Sequence, residues 1–95
     1  MLRNLGGHFM RIKVRNVGAG LHPNEVIVEV NTVGGTERLV VDRRSIRSNS
    51  LSVGAPLREE KDRRLVELPR ETMKGLWRVW VRSDDLSPDR AATAA

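Results

Sequence analysis

The run from Asn24 to Arg43 constrains the fold of this chain more than any other stretch. Val26, Val28 and Val30 alternate with Ile27, Glu29 and Asn31, and Leu39 and Val41 alternate with Arg38, Val40 and Asp42. Strand side chains point to opposite faces in turn, so each run has one apolar face. Gly34-Gly35 lies between the runs and tolerates the positive φ angles of a primed two-residue turn. That turn predicts a hairpin of 24–32 and 36–43, with Val30 opposite Leu39 and Val28 opposite Val41. On the other face it sets Asn31 opposite Arg38, Glu29 opposite Val40 and Ile27 opposite Asp42. Ile27 and Val40 then form an apolar pair on the outside. Turn chemistry and hydrophobic pattern agree.

The remaining sequence suits more strands of this kind. Twelve valines and ten leucines face only three aromatics, Phe9, Trp77 and Trp80. The core must therefore be aliphatic, and β-branched side chains favour a pleated surface. Met10, Ile12 and Val14 alternate with Arg11, Lys13 and Arg15, which predicts a half-buried strand over 10–17 with a basic outer face. Further strands are expected over 51–58, 63–68 and 76–82. Gly54 and Pro56 suggest an edge or a bulge in the first of these. Between 51–58 and 63–68 a charged turn sets Glu59 and Glu60 against Arg63 and Arg64. In the last strand Trp77, Val79 and Val81 should face the core, with Leu76, Arg78, Trp80 and Arg82 opposite.

Pro69, Glu71 and Gly75 suit the start and end of one short helix over 69–75. Leu68-Pro69-Arg70-Glu71 also resembles the strand-proline-helix step of AbrB-like DNA-binding antitoxins. That resemblance implies a helix beginning at Pro69, and no function is carried from it. No internal repeat is visible. The expected fold is all-β: a small antiparallel β-barrel or sandwich of about six strands, of SH3-like or OB-like size. At 95 residues a single domain is expected. It spans 10–86, between a flexible extension at 1–9 and a disordered tail at 87–95. Met10 reads as the natural start, with the preceding residues an extension.

The absence of cysteine excludes disulfides, thiolate metal sites and thiol nucleophiles. No apolar run reaches membrane-spanning length, and no secretory apolar core follows Met1. The expected location is cytoplasmic. His8 and His22 are far apart, and no nucleophile-elbow, phosphate-loop or zinc-protease motif is present. Glu59-Glu60 and Asp84-Asp85 are adjacent residues that point apart, which makes poor acid/base pairs. The chain reads as non-enzymatic, with no cofactor and no metal.

Charge is the strongest functional signal. Fourteen arginines and three lysines face twelve acids, for a net charge of +5. Such a balance attracts polyanions. The candidate ligand-binding residues are Arg11, Lys13 and Arg15 on the first strand, Arg43, Arg44 and Arg47 in the loop after the hairpin, and Arg78, Trp80 and Arg82 on the last strand. Backbone amides and hydroxyls beside arginines suit phosphate, and an indole between two guanidinium groups suits base stacking. If the first and last strands were adjacent, their outer faces would form one basic patch around Trp80. The first reading is thus a binding module for an acidic partner such as nucleic acid. The alternative is a protein-interaction or assembly domain using Ile27, Val40 and Trp80, including self-association.

Overall fold

The computed structural model describes residues 9–89 and contains ten short strands there, without an α-helix. The strands are β1 (Met10–Lys13), β2 (Arg15–Ala19), β3 (Glu25–Thr32), β4 (Gly35–Asp42), β5 (Ile46–Arg47), β6 (Ser50–Val53), β7 (Arg58–Glu60), β8 (Arg63–Glu67), β9 (Arg78–Arg82) and β10 (Leu86–Pro88). Single 3₁₀ turns at Arg43–Ser45 and Ser83–Asp85 follow β4 and β9. The strands form three antiparallel sheets, ordered β10-β1-β6-β5, β2-β3-β4 and β7-β8-β9. All three bury their inner faces in one aliphatic core. Ile12, Val28, Val30, Leu39, Leu51, Val66 and Val81 are its fully buried members.

The alternation predicted from sequence holds in Met10, Ile12 and Val14, in Val26, Val28, Val30, Leu39 and Val41 of the hairpin, and in Val79 and Val81, all of which are buried. The predicted strand 10–17 is two strands in different sheets. The chain bends at Val14, whose N–H donates to Asn49 O at 2.9 Å. Strands that change sheets at such a corner let one core be enclosed from several sides. The predicted strand 51–58 is likewise interrupted between Val53 and Arg58.

The hairpin register differs from the expected one by two residues. Val28 lies opposite Leu39, Val26 opposite Val41, and Val30 opposite Glu37. The turn is Val33-Gly34, with Thr32 opposite Gly35, and Gly35 takes the positive φ of 134°. The Thr32 hydroxyl donates to Gly35 O at 2.5 Å and fixes this choice. A shift of two keeps every side chain on its expected face. Glu37, on the inner face by its alternation with Leu39 and Val41, therefore lies opposite Val30 and is only 8% exposed. Lys74 Nζ stands 3.7 Å from its Oε2, and Oε1 has no hydrogen-bond partner among the described residues.

The segment expected as a helix over 69–75 is the wide tip of the β8–β9 hairpin. Leu68 N–H donates to Trp77 O, Thr72 N–H to Leu76 O, and Gly75 N–H to Thr72 O, each at 2.8 Å. The Thr72 hydroxyl accepts from the Lys74 and Leu76 amides. A threonine that takes local amides in this way replaces the helical bonds, and so few residues nucleate a helix poorly. The helix implied by the antitoxin resemblance is absent with it. Trp77 is on the core side by alternation but lies beyond the end of the sheet, opposite Leu68, and is 50% exposed. Of the tail expected over 87–95, the described part is ordered: Ser87 and Pro88 pair with β1, and Asp89 is buried, its N–H donating to Phe9 O. Residues 1–8 and 90–95, which carry the rest of the predicted extension and tail, lie outside the described residues.

The two halves of the chain have the same plan. A first strand, a three-stranded sheet, a 3₁₀ turn and a last short strand occur in order, twice. The pairings recur in register. Val28 opposite Leu39 matches Val66 opposite Val79, Ile27 opposite Val40 matches Leu65 opposite Trp80, and Glu29 opposite Arg38 matches Glu67 opposite Arg78. Both Glu–Arg pairs are ion-paired, at 2.9 and 3.4 Å. The bond from Arg43 N–H to Asn24 O recurs as Ser83 N–H to Asp62 O. The halves exchange ends: β5 pairs with β6, β10 with β1, and β1 with β6 between them. Their hairpin tips also cross over, Val33 N–H donating to Trp80 O and Met73 N–H to Arg38 O, both at 2.8 Å. The sheet order is therefore palindromic about the β1–β6 pair.

Gly20 closes the loop between β2 and β3 by donating to Glu25 O at 2.9 Å. A Cβ there would stand 2.6 Å from Glu25 Cβ. Gly20→Ala is expected to cost about 1–3 kcal/mol, as overpacking does, measured as a lower urea midpoint with an unchanged slope.

Candidate functional site

The nine basic and aromatic residues picked out from the sequence do not form one patch. β1 lies between β10 and β6, and β9 pairs with β8 and is bonded by Val33, so the expected adjacency of the first and last strands is absent. Arg11 is structural. Its side chain is 11% exposed, and it donates to Ser50 Oγ, Ser50 O, Ser45 O and Asp89 Oδ2. Arg47 reaches the same Asp89 at 3.1 Å. Arg44 folds back on Asp42, which also accepts from the Arg44 backbone N–H. The loop's amide and guanidinium groups are thereby engaged by the protein's own carboxylate. Arg43 donates to Pro23 O, and Lys13 is exposed on β1.

On the β2-β3-β4 sheet, Arg15 and Arg38 both bond Glu29. Their hydrogen bonds, Arg15's first and Arg38's second, hold the Glu29 carboxyl below its ordinary value. Asp42 is lowered in the same way, chiefly by the Arg44 side chain and then by its amide. A carboxyl lowered in the folded state contributes stability above its unfolded pKa and loses it as the pH falls through the folded value. Glu29→Gln is therefore expected to be less stable than the parent at about pH 7, and no less stable at an acid pH below the lowered folded-state value. Urea unfolding at the two pH values checks this.

The outer face of β7-β8-β9 is different. Arg78, Trp80 and Arg82 lie in a row, with Glu67, Leu65 and Arg63 opposite them. Trp80 is half-buried against Leu65, and the Arg63 guanidinium carbon lies 5.1 Å from its ring centroid. The indole face is thus already used by Arg63, in a cation–π contact. Arg78 is paired with Glu67, and Arg63 with Glu60 at 3.1 Å. Arg82 and Lys61 are exposed and make no ion pair among the described residues. They open onto a cleft of about 670 Å³, lined by Val33, Glu60, Lys61, Asp62, Arg63 and Arg82.

Lys61 and Arg63 were not among the sequence candidates. The signal for them lay in the predicted charged turn, whose pairings Glu59–Arg64 and Glu60–Arg63 the structure contains. What was missing was the β8–β9 register, which brings Arg63 directly opposite Arg82.

The apolar outer set expected for a protein interface is also rearranged. Ile27 and Val40 are directly opposite one another, but they are half-buried and in a different sheet from Trp80. Of the exposed apolar side chains, Met73, Leu76 and Trp77 belong to the β8–β9 tip, whereas Phe9, Val17, Leu21, Val33 and Leu57 lie elsewhere. A separate groove of about 470 Å³ runs past Phe9, Val53, Leu57, Leu68 and Pro69.

Among the described residues, no helix is long and apolar enough to cross a membrane. No family model, curated protein or solved structure matches the chain.

Proposed function

We propose that the chain is a non-enzymatic binding module for an acidic partner, nucleic acid being the simplest, and that it binds through the cleft at the end of the β8–β9 pair. One observation carries this reading. Every other described arginine reaches a carboxylate or a backbone carbonyl, some of them sharing one acid, whereas Arg82 and Lys61 stand beside Arg63 with no ion pair among the described residues. A cationic concavity of this kind raises the local concentration of anions. The three sheets are read as a partly open barrel, a shape that can offer such a groove to a strand. A cytoplasmic location belongs to the same reading.

Trp80 makes the reading measurable, since it lies under Arg63. Titration with short single-stranded and duplex oligonucleotides should change tryptophan emission, and the apparent affinity should fall steeply between low and moderate salt as counterions are released. Absence of binding at low salt would remove the proposal. The second reading, a protein-interaction domain, draws support from the half-exposed Trp77 beside Met73 and Leu76, since tryptophan and methionine are enriched in interfaces. Trp77→Ser would then abolish capture of a partner while leaving oligonucleotide binding unchanged.

A further inference from the structure

The duplicated plan puts a like-charge pair at the same place in each half. In the first half it is Glu25 opposite Asp42, and in the second Arg63 opposite Arg82. Like charges directly opposite one another across a strand pair are destabilising unless something lies between them. In the first half something does. Arg70, carried by the hairpin tip of the second half, lies 3.8 Å from Glu25 Oε2, and its charge also lowers the Asp42 carboxyl.

The corresponding tip of the first half is Val33-Gly34-Gly35, which reaches β9 through the Val33 N–H. It carries no carboxylate. The place that Arg70 fills in one half is therefore left as the open cleft in the other, with Val33 on its wall. From this asymmetry we propose that Arg63 and Arg82 form a phosphate-binding site in that cleft, the counter-charged equivalent of the site closed by Arg70. The proposal rests on the acidic-partner reading and names the group that is recognised.

The chemistry favours a phosphate oxyanion. Glu60 accepts from one Nη of Arg63, and a guanidinium has five N–H donors, so Arg63 keeps others for a ligand. Paired guanidinium groups match the oxygens of a phosphate in fork-like geometry. Lys61 adds a third cation. Glu60 and Asp62 also line the cleft and oppose an anion, but Lys61, Arg63 and Arg82 outnumber them there. The phosphate can be a free ion or part of a nucleic-acid backbone, and the chemistry of the contact is the same.

The test titrates the full chain with inorganic phosphate at constant ionic strength, balanced with chloride, and in parallel with a short single-stranded oligonucleotide. Tryptophan emission and the unfolding temperature are followed together. The chain is expected to respond saturably to at least one of the two. Free phosphate alone identifies the ion as the source, and the oligonucleotide alone identifies the phosphodiester backbone. Arg82→Gln, at an exposed position, is expected to weaken the response about tenfold or more, the effect of losing one charged contact. It should not lower the unfolding temperature in phosphate-free buffer, because it relieves the repulsion with Arg63. Arg63→Gln should weaken binding similarly, and Arg44→Gln, remote from the cleft, should leave it unchanged. Undiminished oligonucleotide binding by both cleft variants would overturn the proposal and leave the acidic-partner reading standing. No response to either titrant would overturn both.

Discussion

Leu51→Ala is expected to destabilise the protein by about 2–5 kcal/mol, the range for removing a fully buried leucine. Leu51 has no exposed surface and lies opposite Ile12 on β1 and Ile46 on β5, in the middle of the palindromic sheet. Both halves of the chain meet at this point, so the cavity cannot be closed by moving one of them alone. A chain of this length has a total stability on the order of 5–15 kcal/mol, and the variant should be partly unfolded by modest urea. Leu21→Ala is the matched control. Leu21 is 94% exposed, and its loss should change stability by less than about 0.5 kcal/mol. Equal effects at the two positions would contradict the core described above.

Arg11→Ala is expected to cost about 3 kcal/mol, near the lower end for breaking a buried ion pair. Arg11 ties together three parts of the chain, because its guanidinium bonds Ser45 O, Ser50 and Asp89. Removing it leaves the Ser45 and Ser50 carbonyls without this donor and takes one cation from Asp89, which still accepts from the Ser52 hydroxyl. Arg47 still reaches Asp89, which limits the loss. The sequence reading placed Arg11 at a ligand-binding surface. In that role its replacement would weaken binding and spare the fold. Urea unfolding and oligonucleotide titration of the same variant separate the two roles, and the structure predicts lost stability with unchanged affinity per folded molecule.

The difference between those two roles shows what the sequence could and could not convey. Alternation assigns faces, and the faces of Met10 and Ile12 on β1 and of the hairpin and β9 valines were legible because strand periodicity leaves no other choice. Register was not legible. The choice between Val33-Gly34 and Gly34-Gly35 as the turn depends on a single hydroxyl, that of Thr32. The turn choice sets the partner of Glu37, which is Val30, whereas its inward face follows from its alternation with Leu39 and Val41. Trp77 has the expected parity but misses the core, since alternation does not say where a sheet ends. Which arginines would be free was equally hidden. Arg11 and Lys13 share one strand face in sequence, yet only Arg11 meets Asp89, from the opposite end of the chain.

The repeat escaped detection for a related reason. The apolar positions and the Glu–Arg pairs correspond between halves, but the charged rim positions have opposite signs. The tips also differ in length: a two-residue turn joins β3 to β4, whereas the stretch from Leu68 to Trp77 joins β8 to β9. Those same differences close one cleft and open the other. Functional asymmetry within a symmetric framework therefore arises from a few rim residues and one loop, and the shared core is left intact.

The most direct measurement is a map of amide and indole chemical-shift changes in the full chain as a short single-stranded oligonucleotide is added at low salt. Changes concentrated at Val33, Lys61, Arg63, Arg82 and the Trp80 indole, with Arg11 and Arg47 little affected, are the predicted result. Changes centred on Arg11, Arg15, Arg43 and Arg44, or spread evenly over all exposed arginines, would contradict the assignment of the site.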